Sequence, residues 1–536
     1  MVERLQLTKG WAPYWIFLVL GVANAVLYAN LQPLWEGFDE AFHYAFVEHV
    51  ATRGALPVFG STHVALDVEE SLRLAPAAPP VRVNLPYVMT YSEYFALSDE
   101  GRSARRAALW RIPSAWRGQV LPGANMNYEA QQAPLAYLVL APLDALWAGT
   151  PLAARVLRLR LVCAITAVLL CFAAALRLAK WLEMDRAATS FMLLLLLSAQ
   201  MFYGATAHVA NDWLSVSLSA WFFAALARYL DVPATSAAFW LGFIAGAGVL
   251  TKASFLSWAA VGALAVLASF FNRRARPAHV FAYGSTLFAL AAPWFARNYH
   301  LYGGLSVMQQ TMRGVTIGDT VSAALRMPWG ETITAQLRGA LWTGNSSFNS
   351  FSRLTLNVVL TLLAMAFAAW LVTLRRSRCR PLEQWIATAL GVFCLALAYA
   401  CAVFHVSRPD LPSLMPWHTA AAFLPLACLL ACGLRRSRTW GKWLAATLAA
   451  GFVYLNIATY VLKLIPQYAG CGEGHIRWRE FQTCYFAAGD RTMRLLADTA
   501  LGPAWLIGGL TALVSALALY LGAVTIGRWV GRAEQS

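Results

Sequence analysis

Apolar residues in this chain come in continuous runs of about 15 to 25, divided by short polar links, and lack the regular spacing of elements that bury only one face. Runs of that length suit helices rising about 1.5 Å per residue through a hydrocarbon layer of about 30 Å. About twelve spans are predicted, at 13–31, 160–178, 187–205, 213–230, 236–250, 254–271, 279–296, 354–374, 385–404, 417–434, 442–462 and 503–527. The pattern therefore predicts an all-α polytopic membrane protein.

The polar links set the expected sidedness. If the spans alternate and the end bearing Arg4 and Lys9 lies inside, five basic clusters also fall inside: Arg177/Lys180/Arg186, Arg273/Arg274/Arg276, Arg375/Arg376/Arg378/Arg380, Arg435/Arg436/Arg438/Lys442 and Arg528/Arg532. Both termini are then expected in the cytoplasm, and the first helix, which lacks a small-residue cleavage site, is expected to be retained. The same alternation leaves only Glu3, Glu183, Asp185, Asp231, Glu383 and Glu534 inside among 26 acidic residues, so chemistry is expected outside. The apolar stretch 132–147 is long enough to suggest a further span, but a crossing there would invert every later cluster. It is expected to lie as an interfacial helix on the outer leaflet, within a large first outer loop from about 32 to 159. Smaller outer loops are expected at about 297–353 and 463–502.

Composition narrows the class. The chain has 536 residues, 59% hydrophobic and 13% charged, too apolar for one soluble core. Its formal charge of +16 sits in clusters at span ends rather than in an aromatic-interleaved basic domain, so nucleic acid is not an expected partner. Six of the nine cysteines (Cys163, Cys171, Cys394, Cys401, Cys428 and Cys432) lie in apolar runs and read as small buried hydrophobes. Cys471 and Cys484 share one polar outer loop and are expected to form a disulfide there.

Five places carry candidate chemistry. Asp39 and Glu40 follow the first helix within Trp35-Glu36-Gly37-Phe38-Asp39-Glu40-Ala41-Phe42-His43-Tyr44, where a carboxylate could take a proton from an acceptor hydroxyl. The competing reading is a pair of solvated loop acids. Asn127 to Tyr137, containing Glu129 and Gln132, runs into the interfacial helix and also reads as a helix entrance with Pro134 near its first turn. Asp212, after Asn211, opens a span and could cap it. Lys252, in Leu250-Thr251-Lys252, emerges between two short spans and could snorkel to headgroups. Arg297-Asn298-Tyr299, with Tyr302-Gly303-Gly304, closes the seventh span, where a guanidinium fork suits a phosphate or a lipid headgroup.

The ordered set Asp-Glu-x-x-His-Tyr, Arg-Gly-x-Leu-Pro (53–57), Glu-x-x-Gln-x-Pro-Leu-x-Tyr, Asn-Asp, Leu-Thr-Lys and Arg-Asn-x-x-x-Tyr-Gly resembles the bacterial GT-C glycosyltransferases, which include aminoarabinose transferases and protein O-mannosyltransferases. The resemblance covers residues from about 10 to 310, which it marks as a catalytic module (1–310) followed by further membrane helices (311–536). It implies a GT-C-like fold in a bacterial inner membrane and a sugar moved from a polyprenyl-phosphate donor to a glycan, lipid or protein acceptor, with inversion. It makes Asp39 the base, with Glu40 able to exchange roles. It sets His43, Tyr44, Glu129, Gln132, Asp212, Lys252, Arg297, Asn298 and Tyr302 around donor and acceptor. Asp39 and Glu40 also offer carboxylates to a divalent cation. Relatives usually carry two prolines where Ala133-Pro134 stands, and many carry Gln-Gly-Arg-Tyr where this chain has Pro416-Trp417-His418-Thr419, so His418 or Arg408 would substitute for that arginine. No glycine fingerprint for a nucleotide is present. A polysaccharide polymerase or ligase would share this layout. A transporter of lipid-linked glycan would instead bury ionisable groups at mid-membrane.

Overall fold

A computed structural model describes residues 12–308, 314–375, 380–409, 416–471 and 478–531. Glu3, Arg4, Lys9, Arg376, Arg378, Arg532 and Glu534, used above to assign sides, lie outside the described residues. Each of the twelve predicted spans falls on helix. They are α1 (Trp15–Leu31), α6 (Leu152–Trp181), α7 (Arg186–Ser198) with α8 (Gln200–Thr206), α9 (Asp212–Asp231), α10 (Thr235–Val249), α11 (Phe255–Phe271) and α12 (Pro277–Tyr302), then α15 (Arg353–Arg375), α16 (Pro381–Ser407), α17 (Phe423–Arg436), α18 (Arg438–Ala458) and α20 (Ala504–Val530). Among the described residues seven helical stretches are long and apolar enough to cross a membrane, and eight if α7 and α8, bent by 52° at Ala199, count as one broken span. The first loop adds α2 (Glu40–Arg53), α3 (Leu66–Leu74), α4 (Asp99–Trp110) and α5 (Leu135–Leu146); later loops add α13 (Ile317–Arg326), α14 (Trp329–Leu341) and α19 (Gly489–Thr499). The strands are a two-residue parallel pair, Pro76–Ala77 with Met89–Thr90.

Two devices hold helices together where water is absent. Gly242 and Gly246 let α10 lie against α12: a Cβ on Gly242 would come within 2.5 Å of the Tyr283 carbonyl oxygen. Asn24, fully buried in α1, is a polar hub. Its amide donates to the carbonyls of Leu20 (3.1 Å) and Leu197 (3.4 Å), while its oxygen accepts from Tyr460 (2.9 Å) and Asn456 (3.2 Å), joining α1, α7 and α18.

The two ends of the bundle differ chemically. At one end basic clusters meet their partners: Arg380 pairs with Glu183, Arg436 with Glu383, and Trp529 Nε1 donates to the Ala187 carbonyl at 3.1 Å. The opposite end carries the large first loop. There α5, at 12 residues about 18 Å long, is too short to cross. The Leu135 N–H at its start donates to the Leu250 carbonyl at 2.9 Å, pinning α5 to the turn between α10 and α11. Cys471 and Cys484 are joined as a disulfide in the loop after α18, with Cα atoms 5.7 Å apart.

Candidate active site

The chain leaves α1 through a tight turn in which two non-glycine residues, Trp35 (φ 66°) and Asp39 (φ 54°), take left-handed backbone conformations. Such strain persists only where the surroundings over-determine it, and here a buried ion pair does so. Arg160 of α6 donates to Glu40 through Nε (2.7 Å) and Nη2, and to the carbonyls of Gln32 (2.7 Å) and Pro33 (2.8 Å). The Val209 N–H supplies a further bond to Glu40 at 2.9 Å. Glu40 is thus enclosed and committed to a cation, which leaves it nothing to offer an acceptor or a metal. Among the described residues no group of three or more His, Cys, Asp or Glu side chains is placed to hold a metal ion.

Asp39 stands at the N-cap of α2 without bonding its own helix. Its Oδ1 accepts from Tyr128 Oη at 2.6 Å, and the carboxylate looks into a cavity of about 1350 Å³. Enclosure by protein raises its pKa, opposed by the Tyr128 bond; Asp212 raises it further and Lys252 lowers it. Glu129, next to Tyr128, is buried with one carboxylate oxygen unpartnered and 3.7 Å from His43 Nδ1. Burial and then the Asp39 charge push Glu129 well above the usual carboxylate range. His43 lies 2.8 Å from Tyr137 Oη, and burial pulls it down to about 3, so it is neutral. Gln132 accepts from Asn211 Nδ2 at 3.2 Å. Asn211, not Asp212, is the N-cap residue of α9 and makes no side-chain cap bond, while the carboxylate of Asp212, the first helical residue, pairs with Lys252. His418 lies within electrostatic reach of that pair. Seven of the sequence candidates (Asp39, His43, Glu129, Gln132, Asp212, Lys252 and His418) therefore share one region.

The others go elsewhere. Tyr44 points to the far side of α2, donating to Asp144 at 2.9 Å. Arg297 donates to the Pro57 carbonyl (2.8 Å), Asn298 to the Leu305 carbonyl (3.2 Å), and Tyr302 Oη accepts the Phe59 N–H (2.9 Å). The Arg-Gly-x-Leu-Pro and Arg-Asn-x-x-x-Tyr-Gly motifs thus dock on each other, fixing the first loop to α12.

Sequence reasoning missed several lining residues. Phe38 stacks on Trp417, centroids 3.9 Å apart, so the first loop meets the 416–422 turn at the cavity wall. That turn is held close to α14, since a Cβ on Gly339 would fall 2.2 Å from the Pro416 ring. Arg338, Arg353 and Arg408 line the same cavity, from α14, the start of α15 and the end of α16. Arg338 Nε donates to Asn357 at 2.8 Å. Beneath the strained turn His208 is buried with neither ring nitrogen bonded, packed so tightly that a Cβ on Gly37 would lie 2.5 Å from its own Cβ. Arg408 was named from the sequence as a stand-in for the missing arginine, whereas Arg338 lies within the outer loop 297–353 and Arg353 at a span end, where basic residues are ordinary, so no sequence signal set those two apart.

No protein-family model and no curated protein matches this chain. Among solved structures it is similar to ArnT from Cupriavidus metallidurans bound to undecaprenyl phosphate, at 14% identity with a TM-score of 0.49, and to the same protein in the apo state, at 14% identity with a TM-score of 0.48. Each match covers 97% of this chain and 78% of the other.

Proposed function

We propose that this chain is a glycosyltransferase that moves a sugar from a polyprenyl-phosphate donor to an acceptor hydroxyl at the outer face of the membrane. The observation that carries the reading is a carboxylate, Asp39, facing a large cavity whose other walls bear Arg338, Arg353 and Arg408. The acceptor oxygen attacks the anomeric carbon, the bond from that carbon to the phosphate oxygen breaks, and the acceptor proton passes to Asp39. A single displacement inverts the anomeric centre. The departing phosphate gains negative charge, which guanidinium forks are suited to receive.

Of the two cations that the resemblance sets at the donor phosphate, Lys252 is paired with Asp212, while Arg297 gives Nη2 to the Pro57 carbonyl and has Nη1 buried without a hydrogen-bond partner among the described residues. In this reading Lys252 holds Asp212 and tempers the charge around Asp39, Arg297 orders the loop, and the cavity arginines take the phosphate. Glu40 is a structural partner of Arg160 and takes no part in proton transfer.

The test is sugar transfer by the purified full-length protein in nanodiscs supplied with a panel of polyprenyl-phosphate sugars and a membrane extract of acceptors. At least one donor is expected to lose its sugar to an acceptor, with Asp39→Asn abolishing turnover while the protein elutes and melts as wild type. Absence of transfer from every donor, or an Asp39→Asn protein of full activity, ends the reading.

A further inference from the structure

Helices α13 and α14 fit neither the bundle core nor an ordinary soluble loop. At about 100° per residue, each surface position of α13 falls on one of three faces. Thr320 and Ala323 are buried against the protein. Asp319, Ser322 and Arg326 form a polar face, with Arg326 donating to Ser322. Between them runs a stripe of Ile317, Val321 and Leu325, exposed by 78%, 54% and 82%. A helix held by protein on one side needs no second apolar face unless that face meets something apolar. On α14, Ile333 (53% exposed) and Leu337 (50%) repeat the stripe, while Ala335, Arg338 and Gly339 on the other side line the cavity.

What meets the stripe follows from where the pair is attached. Met327, at the end of α13, packs on Cys401 and Ala402 of α16, with Leu397 beside them. Cys401 lies six residues before the end of α16, about 9 Å along the axis. Helix α16 is long and apolar enough to cross a membrane, and its own Tyr399, near that level, and Leu395, deeper, are exposed. The apolar stripe therefore continues the exposed surface of a spanning helix just inside its end, where acyl chains give way to headgroups. The polar face, with Asp319, Ser322 and Arg326, is of the kind that meets headgroups and water.

We infer that α13 and α14 lie in the boundary layer of the bilayer, with Ile317, Val321, Leu325, Ile333 and Leu337 in the acyl region, so that α14 is the wall between lipid and cavity. This rests on the membrane-spanning reading of the bundle alone; under the proposed function the same wall borders the path of a lipid-linked donor.

The inference is tested by spin-label accessibility in proteoliposomes, on the full chain carrying Cys394→Ala, which removes the thiol exposed among the described residues, and Cys379→Ala, which removes the one outside them. Leu325→Cys and Arg326→Cys are labelled separately, with Ile317→Cys as a second reporter of the stripe, each required to elute as wild type. Labels at 325 and 317 are expected to collide mainly with oxygen, which concentrates in lipid, and the label at 326 with a water-soluble nickel chelate. The oxygen-to-nickel ratio should differ several-fold between the faces. Equal access of nickel to both faces would make the pair an aqueous loop and overturn the inference. Exclusion of both reagents from 325 and 317 would mean that protein, such as a second copy of the chain, covers the stripe, which overturns it as well. A negative sugar-transfer assay leaves either result standing.

Discussion

Two groups of carboxylates flank α2, and their surroundings separate a candidate reagent from structural charge. On the side away from the cavity, Tyr44, Glu48, Asp67 and Asp144 form a sealed knot with Arg117 and Arg155. Arg155 reaches Asp67 at 2.8 Å and Asp144 at 3.6 Å, Arg117 pairs with Asp144, and the Gly118 N–H donates to Glu48 at 2.9 Å. On the cavity side, Asp39 has Tyr128 alone as a close side-chain partner among the described residues, and the rest of its carboxylate faces open space. A sealed carboxylate without a cation costs several kcal/mol, so the knot must be compensated. A carboxylate on a cavity keeps water on its free oxygen, and that oxygen remains available to a substrate. Adjacent acids show the same division: Asp39 opens to the cavity, and Glu40 is closed by Arg160.

The contrast is broken most directly at Asp39. Asp39→Asn should lower the transfer rate by about 10² to 10⁴ with little change in melting temperature, because an exposed acid contributes little to stability. Glu40→Gln should do the reverse. Leaving Arg160 buried and half-paired should cost about 3–5 kcal/mol, read as a lower melting temperature and reduced folded yield, while the protein that does fold still turns over. A Glu40→Gln protein that is fully stable yet inactive would erase the distinction between the two acids.

Arg338→Gln sharpens the cavity side. If this arginine receives the donor phosphate, losing one charge-assisted interaction of about 1.5–3 kcal/mol should weaken donor binding by roughly ten- to a hundredfold. Binding titrations with a polyprenyl phosphate measure the loss, and a variant of unchanged affinity would remove Arg338 from the site.

Glu36 is a third environment, buried like the knot yet held without a cation. It accepts from Tyr91 Oη (2.9 Å), the Ser347 N–H (3.1 Å) and the Ser347 hydroxyl, so it ties the first loop to the loop before α15. Burial, partly offset by these bonds, raises it from 4.5 to about 7. Because the folded pKa lies above the unfolded one, the folded state holds a proton that the unfolded chain releases between those values. Stability should therefore rise as pH falls from about 7 toward 4.5, and Glu36→Gln should flatten that part of the profile. Thermal unfolding across this range measures it; an unchanged slope in the variant would assign the pH dependence to other groups.

Much of the architecture was legible in the hydropathy alone. The twelve predicted spans all coincide with helices, and α5 is too short to cross. Span length and apolarity are local sums set by the solvent, so one chain suffices to read them. The motifs also singled out Asp39, Glu129, Asp212 and Lys252, which the fold brings into one region. What each residue does there was not legible. Adjacency in sequence suggested that Asp39 and Glu40 act together, but Arg160, 120 positions later, claims Glu40 alone. The Asp212 carboxylate, which read as a cap, is in an ion pair, Arg297 gives one bond to the Pro57 carbonyl, and Arg338 and Arg353, which no motif singled out, line the cavity beside Arg408. The chain's apolar runs determine that it folds as a membrane bundle, and the polar links between them leave most of its acids at the end away from Glu183 and Glu383. Which acid remains free is decided by tertiary structure, because a buried charge takes whichever partner the packing brings across from it, and that partner can come from anywhere in the chain.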